Sequence, residues 1–187
     1  LSIEERKLLF PLAKKERREI ACKVFKLKEG DVFEGEVEFI DVSNSTKTSA
    51  LSVHKNALSH FHAIILHTNK PEETIARYCW LTNQSSPRRI FGSSWKVGLD
   101  QQTIIVCSEE DVERIVPSVN VSNLPSILGY ALLTESLSKT KDCFSHNELA
   151  LQSLNRGSFL VKLPEFISGN LIIGTSAADF PWNGGFN

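Results

Sequence analysis

Hydrophobic positions concentrate in residues 61–82, FHAIILHTNKPEETIARYCWLT, where two apolar runs flank the polar stretch Asn69-Lys70-Pro71-Glu72. In the first run apolar residues occupy both parities, the signature of a strand buried on both faces. The second is rich in β-branched and aromatic residues, Ile75, Tyr78 and Trp80 among them, and fits a partner strand. The pattern predicts a central hairpin that turns at Pro71.

The flanking segments fill in a sheet and its cover. Residues 1–28 read as helical, with Ser2 and Glu5 as a capping box and Pro11 opening a second helix. In residues 32–42, Glu34, Glu36 and Glu38 alternate with Phe33, Val37 and Phe39, which predicts a half-exposed strand with a bulge near Gly35. Strands are expected at residues 102–108, 159–163 and 171–174, and a short helix from Ser108 through Val116 to the stop at Pro117. Ile127, Leu128, Ala131, Leu132 and Leu137 have helical spacing, and Ser145-His146-Asn147-Glu148 is a capping box for a further helix ending at Gly157. Residues 175–187 form an irregular aromatic tail, and no repeat is visible. The fold class expected is α+β in a single domain over residues 1–187. A mainly antiparallel sheet or sandwich of about six strands is covered by the N-terminal helical segment and two helices of the C-terminal half. The rival arrangement is a mixed sheet with helices between residues 125 and 155 as crossovers.

Composition narrows the function classes. At 187 residues, 41% hydrophobic and 23% charged, the chain can bury a substantial core. Its net charge of −1 removes the argument for nucleic acid from a globally basic surface. No apolar run approaches the ~20 residues of a membrane span, and the charged N-terminus does not read as a secretory signal. The chain starts at Leu1, which reads as a trimmed fragment, and it contains no methionine, which is unusual at this length. Cys22, Cys79, Cys107 and Cys143 lie far apart with no CxxC pair, which argues against a cysteine zinc site and for a reducing, intracellular compartment, cytoplasmic or nuclear.

Three groups of residues carry candidate chemistry. His54, His60, His62 and His67 fall within fourteen residues, and His60 and His62 share a strand face, the spacing of a metal-binding HxH pair. Arg88 and Arg89 beside Phe91 and Trp95 suit single-stranded nucleic acid through phosphate contacts and stacking, with Lys14, Lys15, Arg17 and Arg18 as a second basic arm. Phe180, Trp182 and Phe186 of the tail suit packing on the body or self-association. No nucleophile elbow, phosphate-binding loop or dinucleotide fingerprint occurs, and no cofactor is expected. The reading that follows is a non-enzymatic binding or assembly protein, a viral-type structural or nucleic-acid-associated component. The alternatives are a metal-dependent hydrolase or oxygenase using the histidines, and a protein–protein adaptor.

Overall fold

The computed structural model of the protein describes residues 2–11, 17–27, 30, 32, 38–41, 55–119, 124–154, 157–164 and 169–183. The chain divides into two compact units, Leu1–Ser52 and Val53–Asn187.

The first unit is an antiparallel sheet, not the expected helical segment: β1 (Ser2–Pro11), β2 (Arg17–Lys26) and β3 (Glu38–Asp41) pair in the order β1-β2-β3. The Glu, Lys, Arg and Leu residues of 1–28 favour helix locally, but pairing along ten-residue strands satisfies their backbone groups across the chain instead. Val24 is buried, and Lys26 faces Glu38 across the β2–β3 ladder at 3.2 Å. The acidic alternation at Glu38 is thus a cross-strand pair; Glu34 and Glu36 lie outside the described residues.

The second unit is built on an eight-stranded mixed sheet. Its strands are β4 (Leu58–His67), β5 (Arg88–Phe91), β6 (Ser94–Leu99), β7 (Gln102–Cys107), β8 (Ser126–Thr134), β9 (Leu151–Ser153), β10 (Phe159–Lys162) and β11 (Asn170–Gly174). The helices are α1 (Pro71–Thr82), α2 (Val112–Ile115) and α3 (Leu137–His146). This overturns the mainly antiparallel six-strand sandwich, because β4 pairs parallel with β7 and β8 parallel with β11. The strand order β5-β6-β7-β4-β8-β11-β10-β9 reads as one pattern from either edge. Each half runs strand, helix, three strands, with the last strand returning parallel to the first, and β4 and β8 join the halves antiparallel.

Local chemistry explains the departures from the sequence pattern. The second run of the expected hairpin is α1. Pro71 sits in its first turn with φ already fixed, and Glu72 and Glu73 lie at its positive end. Residues 126–134 are the central strand β8, flanked by β4 and β11. Its apolar residues fall on both faces, Ala131 and Leu133 on one and Leu132 on the other, so the polar alternation of a half-exposed strand is missing and the spacing imitates a helix. The helix of the C-terminal half starts earlier than the Ser145 capping box, at Ser136, whose Oγ accepts the Lys139 N–H at 3.4 Å; the stretch after His146 instead forms β9.

One face of the sheet, with Ile65, Ile105, Leu160 and Ile172, packs with Ile115, Phe180 and Trp182. Phe159, Val161 and Ile173 pack with Leu137 and Phe144 of α3 in a second cluster. Within the second half, β8 and β11 approach closely at Gly129, where a Cβ would run into the carbonyl oxygen of Asn170, whose side chain donates to Leu128 O at 2.8 Å. Gly129→Ala should therefore cost about 1–3 kcal/mol by forcing β8 and β11 apart. Urea unfolding reads this directly, and an unchanged midpoint would show that the strands have room to spare.

Candidate active site

The C-terminal ends of the parallel pair β4 and β7 lie side by side, and the chain leaves them in different directions, into α1 and into a 3-10 turn over Glu109–Asp111. The Thr68 N–H donates to Cys107 O at 3.1 Å, which extends the ladder one residue past the strand. Thr68 Oγ1 accepts the Lys70 N–H at 3.1 Å, and this local turn aims the chain into α1. Between the two exits lies a crevice of about 560 Å³, lined among others by Thr68, Glu72, Ser93, Ser108, Glu109 and Glu110.

Its floor is pinned by a buried carboxylate. Asp111, 1% exposed, accepts from Ser94 Oγ at 2.7 Å and from Ser108 Oγ at 2.9 Å, while the Ser108 N–H donates to Ser94 Oγ at 2.9 Å. These bonds tie the turn after β7 to β6, so Glu109 projects from a rigid base.

Behind Glu109 stands His67, the last residue of β4, fully buried. Its Nε2 lies 3.3 Å from Glu109 Oε2, at the mouth of the crevice, where the glutamate side chain is 73% exposed. Burial pushes the His67 imidazole below its ordinary pKa, and the Glu109 carboxylate pulls it part of the way back. Neither ring nitrogen of His67 makes a hydrogen bond of good geometry, so Nε2 meets Glu109 as a close approach only. A neutral imidazole beside a solvent-facing carboxylate in a concave site is an arrangement able to handle protons. The neighbouring thiol is no nucleophile, because burial drives Cys107 up to about 12.

The structure scatters the other histidines. His62 falls at a register shift of β4, between the Phe61–Leu132 and Ala63–Ala131 pairs, and stacks on Phe180 at 5.0 Å and 13°. Burial, with Lys96 adding, lowers its pKa. Five residues of strand, roughly 16 Å at about 3.3 Å each, separate His62 from His67, whereas ligands of one ion sit about 2 Å from it. His60 is exposed, and His54 lies outside the described residues. No group of three metal-ligating side chains occurs among the described residues.

Arg88 and Arg89 belong to strand β5 and not to a loop. Arg89 is engaged, with Nη2 3.2 Å from Glu72 Oε1 and its guanidinium 5.0 Å over the Trp95 ring; Phe91 is buried. Lys14, Lys15 and Phe186 lie outside the described residues, as do the side chains of Arg17 and Arg18 on β2. Phe180 and Trp182, 0% and 3% exposed, stack on each other at 5.2 Å inside the unit's own core. No helix among the described residues is long and apolar enough to cross a membrane.

No protein-family model and no curated protein matches the chain. Among solved structures, methylmalonyl-CoA epimerase from Mycobacterium tuberculosis is similar over 66% of this chain and 91% of its own, at 6% identity and a TM-score of 0.49. Lactoylglutathione lyase from Agrobacterium tumefaciens is similar over 62% and 92%, at 11% identity and a TM-score of 0.27. These structural neighbours are epimerase- and glyoxalase-type enzymes. At such identities and scores the chemistry of this chain rests on its own residues.

The pairing of His67 with Glu109 escapes sequence reasoning, which singles out His67 only as one of four clustered histidines. The link is the parallel pairing of His67 with Cys107, made between strands forty residues apart.

Proposed function

We propose that residues 53–187 form an enzyme unit that carries out acid–base chemistry on a small molecule held in the crevice beside Glu109. Glu109 exchanges a proton with the ligand, and His67 positions and polarises that carboxylate from behind. The observation that supports this reading is the buried His67 imidazole 3.3 Å from a carboxylate that opens onto a crevice of about 560 Å³, within the ~300–1,000 Å³ of small-molecule sites. Of the three aromatics expected to serve assembly, Phe180 and Trp182 are buried in the unit itself, and Phe186 lies outside the described residues.

The test has two stages. A fragment library screened by amide chemical shift should perturb Thr68, Glu72, Ser93 and Ser108 together. For each ligand found, proton NMR in D₂O then follows exchange of its most acidic C–H. Glu109→Gln should slow that exchange about 100-fold or more while leaving binding in place. Exchange at the wild-type rate in the variant would remove Glu109 from the chemistry, and a library that leaves the crevice untouched would remove the site.

A further inference from the structure

At the other end of β7 from Glu109, roughly 16 Å along the strand by residue rise, a second crevice of about 360 Å³ is lined by Gln84, Ser86, Arg88, Lys96, Gly98 and Thr103. We propose that it binds a small oxyanion, the phosphate or carboxylate group of a small molecule.

Four observations carry this. Arg88 and Lys96 are direct register partners on β5 and β6, so two cations face each other across one ladder, an arrangement that is unfavourable in itself. Among the described residues no carboxylate forms an ion pair with either. Ser86, Thr103 and Gln84, each with a polar side chain, line the same space, and a Cβ at Gly98 would meet nothing within 4 Å, so there is room beside that strand. Lys96 is also held in place: its Nζ donates to Asn183 Oδ1 at 2.6 Å and to Trp182 O at 3.3 Å. An ammonium has three N–H groups, which leaves one for a ligand, and a guanidinium brings a planar fork of donors.

The nearby carbonyl end of α1 does not account for the two cations. That end is closed by its own chain, with the Asn83 N–H donating to Trp80 O at 3.3 Å and the Gln84 N–H to Cys79 O at 2.9 Å. A bound oxyanion would neutralise the facing charges and complete the donor set. Burial, then Arg88, holds Lys96 below its ordinary pKa, so anion binding should raise it.

The experiment titrates the isotope-labelled chain with sodium phosphate in one arm and sodium succinate in the other, at ionic strength held constant with sodium chloride. Saturable amide shifts at Gly98 and Thr103, with an upward move of the Lys96 titration midpoint, are expected in at least one arm, and the stronger arm names the oxyanion. Arg88→Gln should weaken binding by about tenfold or more with an unchanged melting temperature, since Arg88 is exposed. Glu109→Gln should bind as the wild type does, which separates this site from the proton-handling crevice. Shifts that never saturate, shifts reproduced by chloride alone, or an Arg88→Gln variant of undiminished affinity would each overturn the proposal.

Discussion

Phe180→Ala should destabilise the second unit by about 3–5 kcal/mol, the range for deleting a buried aromatic ring. The ring is fully buried between the His62 imidazole at 5.0 Å and the Trp182 indole at 5.2 Å, within the cluster that includes Ile65, Ile105 and Ile172. Its removal takes away transfer free energy and leaves a cavity that the sheet, fixed by ladders on both sides of β4, cannot collapse to fill. A second readout separates this from general loosening. Burial is the main cause of the depressed His62 pKa, so water admitted beside the ring should return its midpoint towards the ordinary value. Urea unfolding measures the first effect, and histidine NMR titration the second. A loss below about 1 kcal/mol would mean that residues 180–182 do not seal this face.

Stability should also fall as pH drops from neutrality, with the sign set by two imidazoles. His62 and His67 both have folded pKa values below their ordinary 6.5. The unfolded chain therefore takes up protons first. The stabilisation is complete above pH 6.5, and it is lost as pH falls from there towards the folded values. While only the unfolded form titrates, each group contributes a slope of at most about 1.4 kcal/mol per pH unit. Glu109 opposes the effect at His67, so Glu109→Gln should lower the His67 midpoint further and steepen the dependence. Lys96 faces His62 and acts in the other direction, disfavouring its protonation. Asp179 works in a separate, lower window. Burial opposes its charge, but hydrogen bonds from Ser176 and Thr175 hold its folded pKa below 3.8, and its contribution goes only as pH falls through that lower value. Urea midpoints at about pH 7.5 and about pH 5 test the imidazole window; equal values would show that both rings accept protons without cost in the folded state.

How much of this was readable depends on how local the deciding interaction is. The strand TIIVC, the short helix after Ser108 and the strands near 160 and 172 emerge from pattern alone, because each is a short apolar run or a cap followed by a stop. The first unit did not, since a segment such as IEERKLLF fits a helix as well as a strand until its ten-residue partner is known. At α1 the aromatic and β-branched content outweighed Pro71, Glu72 and Glu73, which were the better start signal. The site was the least legible part. His67 and Glu109 meet only because a crossover returns β7 parallel to β4, and Arg88 meets Lys96 only through a register set between strands.

The recurrence of strand, helix and three strands suggests how one end of the sheet came to be open. Both returning strands, β7 and β11, run into a 3-10 turn whose third residue is an aspartate, Asp111 or Asp179. Asp179 receives the N–H groups of Thr175 and Ser176 at 2.8 and 2.9 Å, and a Cβ at Gly174 would approach its side chain at 3.0 Å, so that corner is stitched shut. Asp111 is drawn down onto Ser94 and Ser108, which leaves Glu109 standing over a hollow. The two corners of the recurring arrangement thus differ in what they tie down: the later one is closed on itself by hydrogen bonds, and the earlier one keeps open space beside Glu109 while its aspartate holds the strands beneath.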